Sequence, residues 1–384
     1  MAGALLTDLY SIFTNPNVRF RSGFFGPAER FLRDSGANIE YVPADFRRFG
    51  PILEKGGTTG AGVRDRAPDS DGRLSLSLHA GSTIDELHRC AADPGTTPDH
   101  RVLRRLPTHL RPATPAPPLA AHRRSRRSLR VRRPPVELAD ADGTEIDREI
   151  AELATTFIPD GATLQTGIGA IPSMIATMLA EGDGGGYGVH SEMFTNGLMR
   201  LHKAGKVTNA DKGEFDGYSV TTFAAGCAEL YEFLHENDEV RFLPVEIVND
   251  SQMIATNRRF VSINGAMGVD LYGQVAADTV NGRQHSGTGG HEDFIAGAGL
   301  QLEDRSLICL HSTAEGPDRR VSRIMANVSP KMTVTTPRHQ VDVIITEFGI
   351  AELQGLTVRE RANALAEIAH PDFRDELREA AEQM

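Results

Sequence analysis

The feature that most constrains the fold is the alternation of strand-like and helix-like segments from residue 143 onwards. The apolar runs ATLQTGIG, SVTTFAAG, FVSING and SLICLHS have the length and composition of buried strands, and VRFLPVEIV is interpreted in the same way. TEIDREIAELATTF and CAELYEFLHEN have the spacing of helices. Strands that alternate with helices predict a mostly parallel sheet covered on both faces, with ligands bound at the carboxyl ends of its strands.

Three local signals mark the helix ends. Thr144 is suited to cap the first of these helices. Pro172 in IPSMIATMLAEG lies where a proline of a first helical turn belongs. Thr357 and Glu360 in TVRERANALAEIAH form a capping-box pattern, which predicts a last long helix.

The residues before 143 differ in their pattern of apolar and polar residues. Residues 1–55 alternate apolar runs with turn residues, as strand–loop–helix units do, whereas LRRLPTHLRPATPAPPLAAHRRSRRSLRVRRPP has neither helical nor strand period. The length of 384 residues exceeds what one core usually holds. We therefore expect two open, mostly parallel α/β domains. The N-terminal domain, over 1–142, is incomplete and irregular, with an aberrant Arg/Pro-rich stretch at 97–136. The C-terminal domain covers 143–384.

Three interpretations compete for the Arg/Pro-rich stretch, in which residues 101–136 contain 11 Arg, two His and no acidic residue. It is a disordered basic linker, a patch for nucleic acid or an anionic membrane, or a product of translation in the wrong frame of a GC-rich gene. The abrupt change on entering and leaving the stretch favours the third interpretation. Resequencing the gene would test it, since an unbroken frame contradicts it.

Charge and composition narrow the class of protein. The net charge of −11 argues against a general nucleic-acid binder, and no run of 18 apolar residues is available to span a membrane. The first residues, MAGALLTDLY, make a poor signal peptide. Cys90, Cys227 and Cys309 are too few and too scattered for a disulfide framework or a zinc site. These features predict a cytoplasmic protein with no nucleic-acid or membrane partner.

Two glycine-rich motifs expose backbone N–H groups. In LQTGIGAIP, Gly167 and Gly169 lie between a strand and a helix, which suits a phosphate or pyrophosphate. The third glycine of a dinucleotide fingerprint is missing, however, and glycine pairs also make purely structural turns. In HSGTGGHEDF, three glycines in four positions can meet a developing oxyanion, or they form a flexible loop.

Polar residues near these motifs are weaker indicators of function. His285, His291, Glu292 and Asp293 fit no standard zinc spacing, so we expect surface polar residues and no metal site. Glu192 in GVHSEMF is either an exposed carboxylate or a reactive one, and its local sequence does not decide between them. His190, Ser191 and Glu192 include the residue types of a catalytic triad, but adjacent residues of an extended chain point to opposite faces and are not expected to assemble a relay. The absence of a G-x-S-x-G elbow also argues against a serine hydrolase.

Six segments taken in order carry a resemblance to a known family. They are IPDGATLQTGIGAIPSMIATML, GVHSEMFTNGL, VSINGAMGVDLYGQVAAD, SGTGGHEDF, ITEFGIAEL and IAHPDFRDEL. The chain resembles the acetyl-CoA hydrolase/transferase family, in its branch of 4-hydroxybutyrate and butyrate:acetate CoA-transferases. The resemblance is nearly continuous over 143–384, partial over 10–55 and weak over 56–136. Family members are usually longer at the N-terminus, so the chain looks truncated there.

The resemblance implies a set of site residues. Glu192 matches the glutamate that acts as nucleophile in the family. The GIGAI loop (residues 167–171), Met267 and the SGTGG loop (residues 286–290) match segments that contact CoA, although this chain has HED where the family more often has GQVDF. The implied CoA-binding residues are Gly167, Ile168, Gly169, Ala170, Ile171, Met267, Gly289 and Gly290.

The implied activity is transfer of CoA between an acyl-CoA, of the acetyl, butyryl or 4-hydroxybutyryl class, and a short-chain carboxylic acid such as acetate. The reaction passes through a glutamyl-CoA thioester on Glu192, with CoA as substrate and no permanently bound cofactor. The family also implies a homodimer. Two alternatives stay open: hydrolysis of the acyl-CoA at the same site, and a non-catalytic CoA-binding remnant with a damaged N-terminal half.

Overall fold

The structure, a computed structural model, describes the chain in several ranges. Only the backbone is given for residues 62–66, 99–103 and 128–131. Cys90 and most of the Arg/Pro-rich stretch lie outside the described residues, so the predictions made for them stay untested. The described ranges are 15–57, 62–66, 76, 78–82, 84, 99–103, 128–131, 137–316 and 319–384.

Helices and strands alternate through most of the described residues. The helices in chain order are α1 (Pro27–Asp34), α2 (Phe49–Lys55), α3 (Glu145–Thr155), α4 (Ala170–Glu181), α5 (Asn196–Lys203), α6 (Ala228–Leu234), α7 (Val245–Val248), α8 (Ser251–Ala255), α9 (His291–Gly297), α10 (Val358–Glu367) and α11 (Pro371–Glu382), with a 3₁₀ turn at Phe46–Arg48. The strands are β1 (Phe20–Ser22), β2 (Ile39–Tyr41), β3 (Gly62–Arg66), β4 (Asp99–Leu103), β5 (Ser128–Val131), β6 (Thr163–Thr166), β7 (Gly188–Phe194), β8 (Ser219–Ala224), β9 (Val240–Phe242), β10 (Phe260–Gly265), β11 (Gly268–Asp270), β12 (Val275–Ala276), β13 (Thr279–Val280), β14 (Arg283–Gln284), β15 (Arg305–Cys309), β16 (Thr313–Glu315), β17 (Arg320–Ser322), β18 (Ile324–Met325), β19 (Val343–Thr346) and β20 (Gly349–Glu352).

The main sheet has eight strands in the order β20-β19-β15-β10-β6-β7-β8-β9. Every neighbouring pair is parallel except β19 and β20, which are antiparallel. All eight strands come from the part of the chain after residue 143. The sheet confirms the predicted mostly parallel α/β fold, and it brings the carboxyl ends of β6, β7, β8 and β10 to one edge.

Apolar side chains cover both faces of this sheet. On one face Leu164, Val189 and Ile263 are fully buried in a core formed with the helices α3 to α6. On the other face, one cluster joins Ile344 to the helices α10 and α11, and a second cluster contains Phe260. Alternation along each strand divides its side chains between the two faces, which is the period-2 pattern of a sheet buried on both sides.

The predicted helix caps are present. Thr144 accepts a hydrogen bond from the backbone N–H of Asp147, and the Asp147 carboxylate accepts one from the Thr144 N–H. The same reciprocal arrangement joins Thr357 and Glu360 at the start of α10. Because these bonds satisfy N–H groups that the first helical turn leaves free, each stabilises its helix by about 1 kcal/mol.

Two predictions about elements are wrong. VRFLPVEIV is not one strand, because β9 ends at Phe242 and the short helix α7 follows Pro244, which has no N–H to give to a strand ladder. The helix α10 is not the last one, since α11 follows it. Pro371 occupies the first turn of α11, where its missing N–H costs nothing.

The described residues before 143 form smaller sheets. Strands β1 and β2 pair in parallel, and β3, β4 and β5 form a three-stranded parallel sheet. Strand β5 lies within the run that has no strand period in its sequence. Pairing with β4 supplies its backbone hydrogen bonds, and such bonds need no side-chain pattern. None of the described helices is long and apolar enough to cross a bilayer.

Candidate active site

Glu192 is the fifth residue of β7, a strand in the interior of the main sheet. Its side chain is half-buried and lies on the same face as His190, because residues two apart on a strand share a face. Its backbone carbonyl accepts a hydrogen bond of 2.9 Å from Oγ1 of Thr221 on β8. The carboxylate is therefore held on a rigid element close to the carboxyl edge of the sheet.

One amide connects Glu192 to a second carboxylate. Nδ2 of the fully buried Asn249 donates to Oε2 of Glu192 at 2.7 Å and to Oδ2 of Asp293 at 3.1 Å. Asn249 lies between α7 and α8, and Asp293 lies on α9. Three separate segments thus meet at this one amide.

The SGTGG loop passes directly over the Glu192 carboxylate. A Cβ atom added to Gly290 would lie 2.0 Å from Oε2 of Glu192 and 2.5 Å from Nδ2 of Asn249. At Gly289, where φ is +57°, an added Cβ would lie 3.8 Å from Oε1. Only a glycine at position 290 lets the backbone approach the carboxylate so closely.

The surroundings raise the pKa of both carboxyl groups. Burial raises the pKa of Glu192 to about 7, the Asn249 hydrogen bond lowers it, and the charge of Asp293 adds to the rise. Burial also raises the pKa of Asp293 to about 7, while the Asn249 hydrogen bond and Arg47 oppose that rise. Near neutral pH a large fraction of Glu192 is ionised and poorly solvated, which suits a nucleophile or base.

The GIGAI loop lies beside Glu192 at the same edge of the sheet. It follows β6, which pairs with β7, and the backbone N–H of Thr166 donates to Oγ of Ser191 at 3.4 Å. Ile168 at its tip is 62% exposed. Gly169 has φ +129° and ψ 176°, a conformation that only glycine adopts readily, and it caps α4, which begins at Ala170. The loop therefore presents the N-terminus of a 12-residue helix to solvent at this edge.

Met267 lies in the turn between β10 and β11, and β10 is the strand next to β6. Its side chain is half-buried, and its N–H donates to the carbonyl of Ala276 at 2.8 Å. The structure thus brings Glu192 together with Gly289 and Gly290 directly, and it places the GIGAI loop and Met267 on successive strands of the same edge.

The expectation of surface polar residues in HEDF is wrong. Asp293 is 1% exposed, and Nε2 of His291 lies 2.9 Å from Oγ1 of Thr336, which also donates to Oε1 of Glu292. Burial raises the pKa of Glu292 to about 7 and lowers that of His291 to about 4. The reason is that α9 begins at His291 and packs these side chains inward. Among the described residues, no group of three His, Cys, Asp or Glu side chains could hold a metal ion.

Opposite faces separate Ser191 from Glu192, but His190 shares a face with Glu192 and is instead bonded elsewhere. Nε2 of His190 lies 2.7 Å from the carbonyl of Val248, and burial lowers the pKa of this imidazole to about 3. Oγ of Ser191 donates to the carbonyl of Met193 at 2.9 Å. His190 thus connects β7 to the last residue of α7, and Ser191 also bonds to the backbone of Thr166 on β6.

Sequence patterns do not indicate Asn249 or a further residue of the site, Arg47. Nε of Arg47 lies 2.7 Å from Oδ1 of Asp293, and the backbone N–H of Phe46 donates to the carbonyl of Gly289 at 2.9 Å. These residues are 44 or more positions away from their partners in the chain, and no local pattern predicts such contacts.

Comparisons with known proteins show which family the chain resembles. Residues 226–381 match the acetyl-CoA hydrolase/transferase C-terminal domain. Butyryl-CoA:acetate CoA-transferase from Anaerostipes caccae is 42% identical over 242 residues, which make up 62% of this chain and 54% of that enzyme. The chain therefore spans about half the length of this curated relative.

Two solved structures are similar over nearly the whole chain. RipA from Yersinia pestis superposes with a TM-score of 0.86 at 32% identity, covering 98% of this chain and 83% of RipA. A 4-hydroxybutyrate CoA-transferase from Porphyromonas gingivalis has a TM-score of 0.78 at 26% identity, covering 100% and 92% of the two chains. On these grounds, the chain belongs to the acetyl-CoA hydrolase/transferase family.

Proposed function

We propose that this protein is a CoA-transferase in which Glu192 is the covalent nucleophile. The observation that carries the proposal is the close approach of Gly290 to Glu192 Oε2, beside the hydrogen bond from Asn249. A glycine backbone packed on a half-buried carboxylate provides a reactive group and polar N–H groups in one place. The names of the relatives suggest acetyl-, butyryl- or 4-hydroxybutyryl-CoA as donor and a carboxylic acid such as acetate as acceptor.

The first half of the reaction breaks the thioester. An ionised oxygen of Glu192 attacks the thioester carbonyl, and the C–S bond then breaks to give an acyl-glutamyl anhydride and CoA thiolate. The thiolate attacks the glutamyl carbonyl of the anhydride. This second attack releases the original acyl group as a carboxylate and leaves a glutamyl-CoA thioester on Glu192.

The second half runs the same steps in reverse with a different acid. The acceptor carboxylate attacks the glutamyl-CoA carbonyl, and the released thiolate then attacks the acyl carbonyl of the new anhydride. The products are a new acyl-CoA and free Glu192. No proton has to be transferred in either half, so the site needs no separate acid or base and no cofactor beyond CoA itself.

The surroundings of Glu192 fit these steps. A carboxylate is a weak nucleophile in water, and partial burial removes some of the solvent that stabilises its charge. We propose that the SGTGG backbone stabilises the oxyanion of each tetrahedral intermediate, with Gly290 packed against Glu192. The GIGAI loop and Met267 would hold the nucleotide and pantetheine parts of CoA along the carboxyl edge of the sheet. Binding energy from those remote parts then contributes to catalysis at the thioester.

We further propose a boundary between two domains at residues 142 and 143, and a homodimer as in the family. The boundary is supported by the main sheet, all of whose strands follow residue 143. Limited proteolysis with mass spectrometry would test the boundary, and sedimentation would test the homodimer. Acyl-CoA and a short-chain carboxylate are the small-molecule partners that this function requires.

Trapping the intermediate tests the proposed nucleophile. The protein is incubated with acetyl-CoA or butyryl-CoA, reduced with sodium borohydride, digested and analysed by mass spectrometry. We expect the side chain of Glu192 to be converted to an alcohol, because borohydride reduces a thioester and leaves a carboxylate intact. The Glu292→Gln variant, which changes a neighbouring carboxylate, should still be trapped at Glu192, whereas Glu192→Gln should give no adduct. Modification at any other residue contradicts the proposal.

Acetate dependence separates transfer from hydrolysis at the same site. For a transferase, loss of butyryl-CoA requires acetate and is matched by formation of acetyl-CoA. Loss that proceeds equally without acetate indicates hydrolysis, in which water resolves the glutamyl thioester. Folded protein that binds CoA but forms no adduct would instead be a non-catalytic CoA-binding protein.

A further inference from the structure

The N-terminal segment (residues 15–57) supports the SGTGG loop over its whole length. The N–H of Phe25 donates to the carbonyl of Ser286 at 3.3 Å, and the N–H of Phe46 donates to that of Gly289 at 2.9 Å. At Gly287, an added Cβ would lie 2.3 Å from the carbonyl oxygen of Gly23. Backbone therefore packs on backbone along this loop, and the position of the loop depends on a segment more than 200 residues away in the chain.

Arg47 extends this support to the charged groups. Its guanidinium lies between two acidic side chains, with Nε 2.7 Å from Oδ1 of Asp293 and Nη1 3.8 Å from Oδ2 of Asp250. The side chain of Asp293 is 1% exposed and that of Arg47 is 32% exposed, so Arg47 closes the side of Asp293 that faces solvent. An ionised carboxylate so deeply buried requires such a partner.

The two oxygens of Asp293 are used by different partners. Oδ1 meets Arg47, and Oδ2 accepts from Nδ2 of Asn249, the group that also donates to Glu192. The contacts form a continuous chain from Arg47 through Asp293 and Asn249 to Glu192. We propose that Arg47 is a positioning residue for the reactive carboxylate, acting through this chain of contacts. This inference rests on the proposed role of Glu192.

The other charged groups near this chain of contacts are few among the described residues. Asp45 and Glu292 add negative charge near Asp293, and Arg48 adds positive charge. Arg48, however, is 67% exposed at its side chain and pairs with Asp45 at 3.1 Å. It therefore lacks the buried contact that Arg47 makes, although it is the same residue type at the adjacent position.

Loss of the Arg47 guanidinium leaves Asp293 buried without its close cation. Asp293 then takes up a proton or turns towards solvent, and either change weakens the acceptor that holds the Asn249 amide. Glu192 keeps its strand but loses the fixed direction of its carboxylate. A misplacement of about 1 Å at a reacting group lowers the rate on the order of 100-fold. The nucleotide part of CoA, bound at the other strands of the edge, is not affected.

The test compares Arg47→Met with Arg48→Met, using the rate of adduct formation at Glu192 in single-turnover borohydride trapping. We expect Arg47→Met to lower this rate by about 10- to 100-fold with the KM for acyl-CoA changed by less than about threefold. Arg48→Met should react like the unsubstituted protein. Arg47→Lys keeps a cation and should recover part of the rate, which a purely structural loss of packing would not predict.

A double variant tests whether the effect passes through Asp293. If Arg47→Met and Asp293→Asn act through the same contacts, the double variant is about as slow as the slower single variant, and not slower by the product of both effects. Equal rates in Arg47→Met and Arg48→Met overturn the proposal, as does a multiplicative double variant. Absence of any adduct in the unsubstituted protein instead overturns the proposed function. Far-UV circular dichroism and thermal unfolding exclude variants that fail to fold.

Discussion

The two glycine-rich loops at the carboxyl edge use their glycines for different physical reasons. In the SGTGG loop, Gly290 is required by space, because a Cβ there would lie 2.0 Å from Glu192 Oε2, while its own φ of −95° suits any residue. In the GIGAI loop, Gly169 is required by conformation, because its φ is +129° and the space around it is open. The SGTGG loop packs against the side chain of Glu192, whereas the GIGAI loop exposes Ile168 to solvent.

This difference assigns the loops to different parts of the proposed reaction. The SGTGG loop lies close to charge that changes during the reaction, so substitutions there should alter rate. The GIGAI loop carries an exposed apolar residue and a helix N-terminus, so substitutions there should alter stability or CoA affinity. Substitutions in each loop can support or contradict this assignment of rate to the SGTGG loop and of stability or CoA affinity to the GIGAI loop.

The largest effect is expected from Gly290→Ala. The new methyl group overlaps Glu192 Oε2 and Asn249 Nδ2, so the carboxylate has to leave its hydrogen bond. We expect kcat/KM to fall by about 100-fold or more, because the reacting carboxylate is displaced. Steady-state assay of acyl-CoA:acetate exchange measures it.

Gly289→Ala is the matched control for this substitution. Its Cβ would make an ordinary 3.8 Å contact with Glu192 Oε1, and its φ of +57° costs only about 1 kcal/mol of stability. We therefore expect a far smaller loss of rate than for Gly290→Ala. Equal losses at both positions would mean that backbone conformation, and not space beside Glu192, limits the SGTGG loop.

The second prediction concerns pH. Because burial raises the pKa of Glu192 to about 7 and attack needs the ionised form, kcat/KM should fall about tenfold per pH unit below that value. The Asn249 hydrogen bond lowers this pKa, so Asn249→Ala should move the acid limb to higher pH. A pH–rate profile of both proteins measures the shift.

An acid limb that stays in place in Asn249→Ala would show that another group controls the profile. The candidates are Glu292 and Asp293, whose pKa values are also raised to about 7. Glu292→Gln is the control, because its carboxylate bonds to Thr336 and not to Asn249. We expect its acid limb to remain close to that of the unsubstituted protein. These titrating groups belong to the SGTGG side of the site, and the GIGAI loop itself contains no acidic residue.

Local sequence patterns predict the strands and helix ends around this site but not the contacts within it. The apolar runs predict β6 and β8, and the predicted caps at Thr144 and Thr357 are confirmed. Such signals depend on residues that are close together in the chain. The contact of Asn249 with Glu192 spans 57 positions, and that of Arg47 with Asp293 spans far more. Their chemistry arises from packing of distant segments, for which a single sequence contains no periodic signal.

Asp293 illustrates the limit most clearly. Three polar residues in a row, His291 to Asp293, are typical of a surface turn and predict one. The helix α9 instead turns Asp293 inward, where Asn249 donates to Oδ2 and the Arg47 guanidinium lies 2.7 Å from Oδ1. The local sequence of Glu192 leaves an exposed and a reactive carboxylate open, and only the family resemblance favours the reactive one.

The third prediction tests the conformational requirement in the GIGAI loop. Gly169→Ala should lower the free energy of unfolding by about 1 to 3 kcal/mol, because L-residues rarely adopt its backbone conformation. Gly167→Ala is the control, since its Cβ would meet only the carbonyl of Ile263 at 3.8 Å. Urea unfolding followed by circular dichroism measures both. Equal stability of the two variants would contradict the distinction between these glycines.

The smallest effect is expected from Ile168→Ser at the tip of the same loop. Because Ile168 is 62% exposed, its replacement should change the free energy of unfolding by no more than about 0.5 kcal/mol. If bound CoA covers this side chain, the KM for acyl-CoA should rise about three- to tenfold, with kcat retained. Leu302→Ser is the control, because Leu302 is fully exposed just before β15, at the opposite edge of the sheet. An unchanged KM in Ile168→Ser would remove the GIGAI loop tip from the CoA contact surface and leave only the SGTGG side of the comparison.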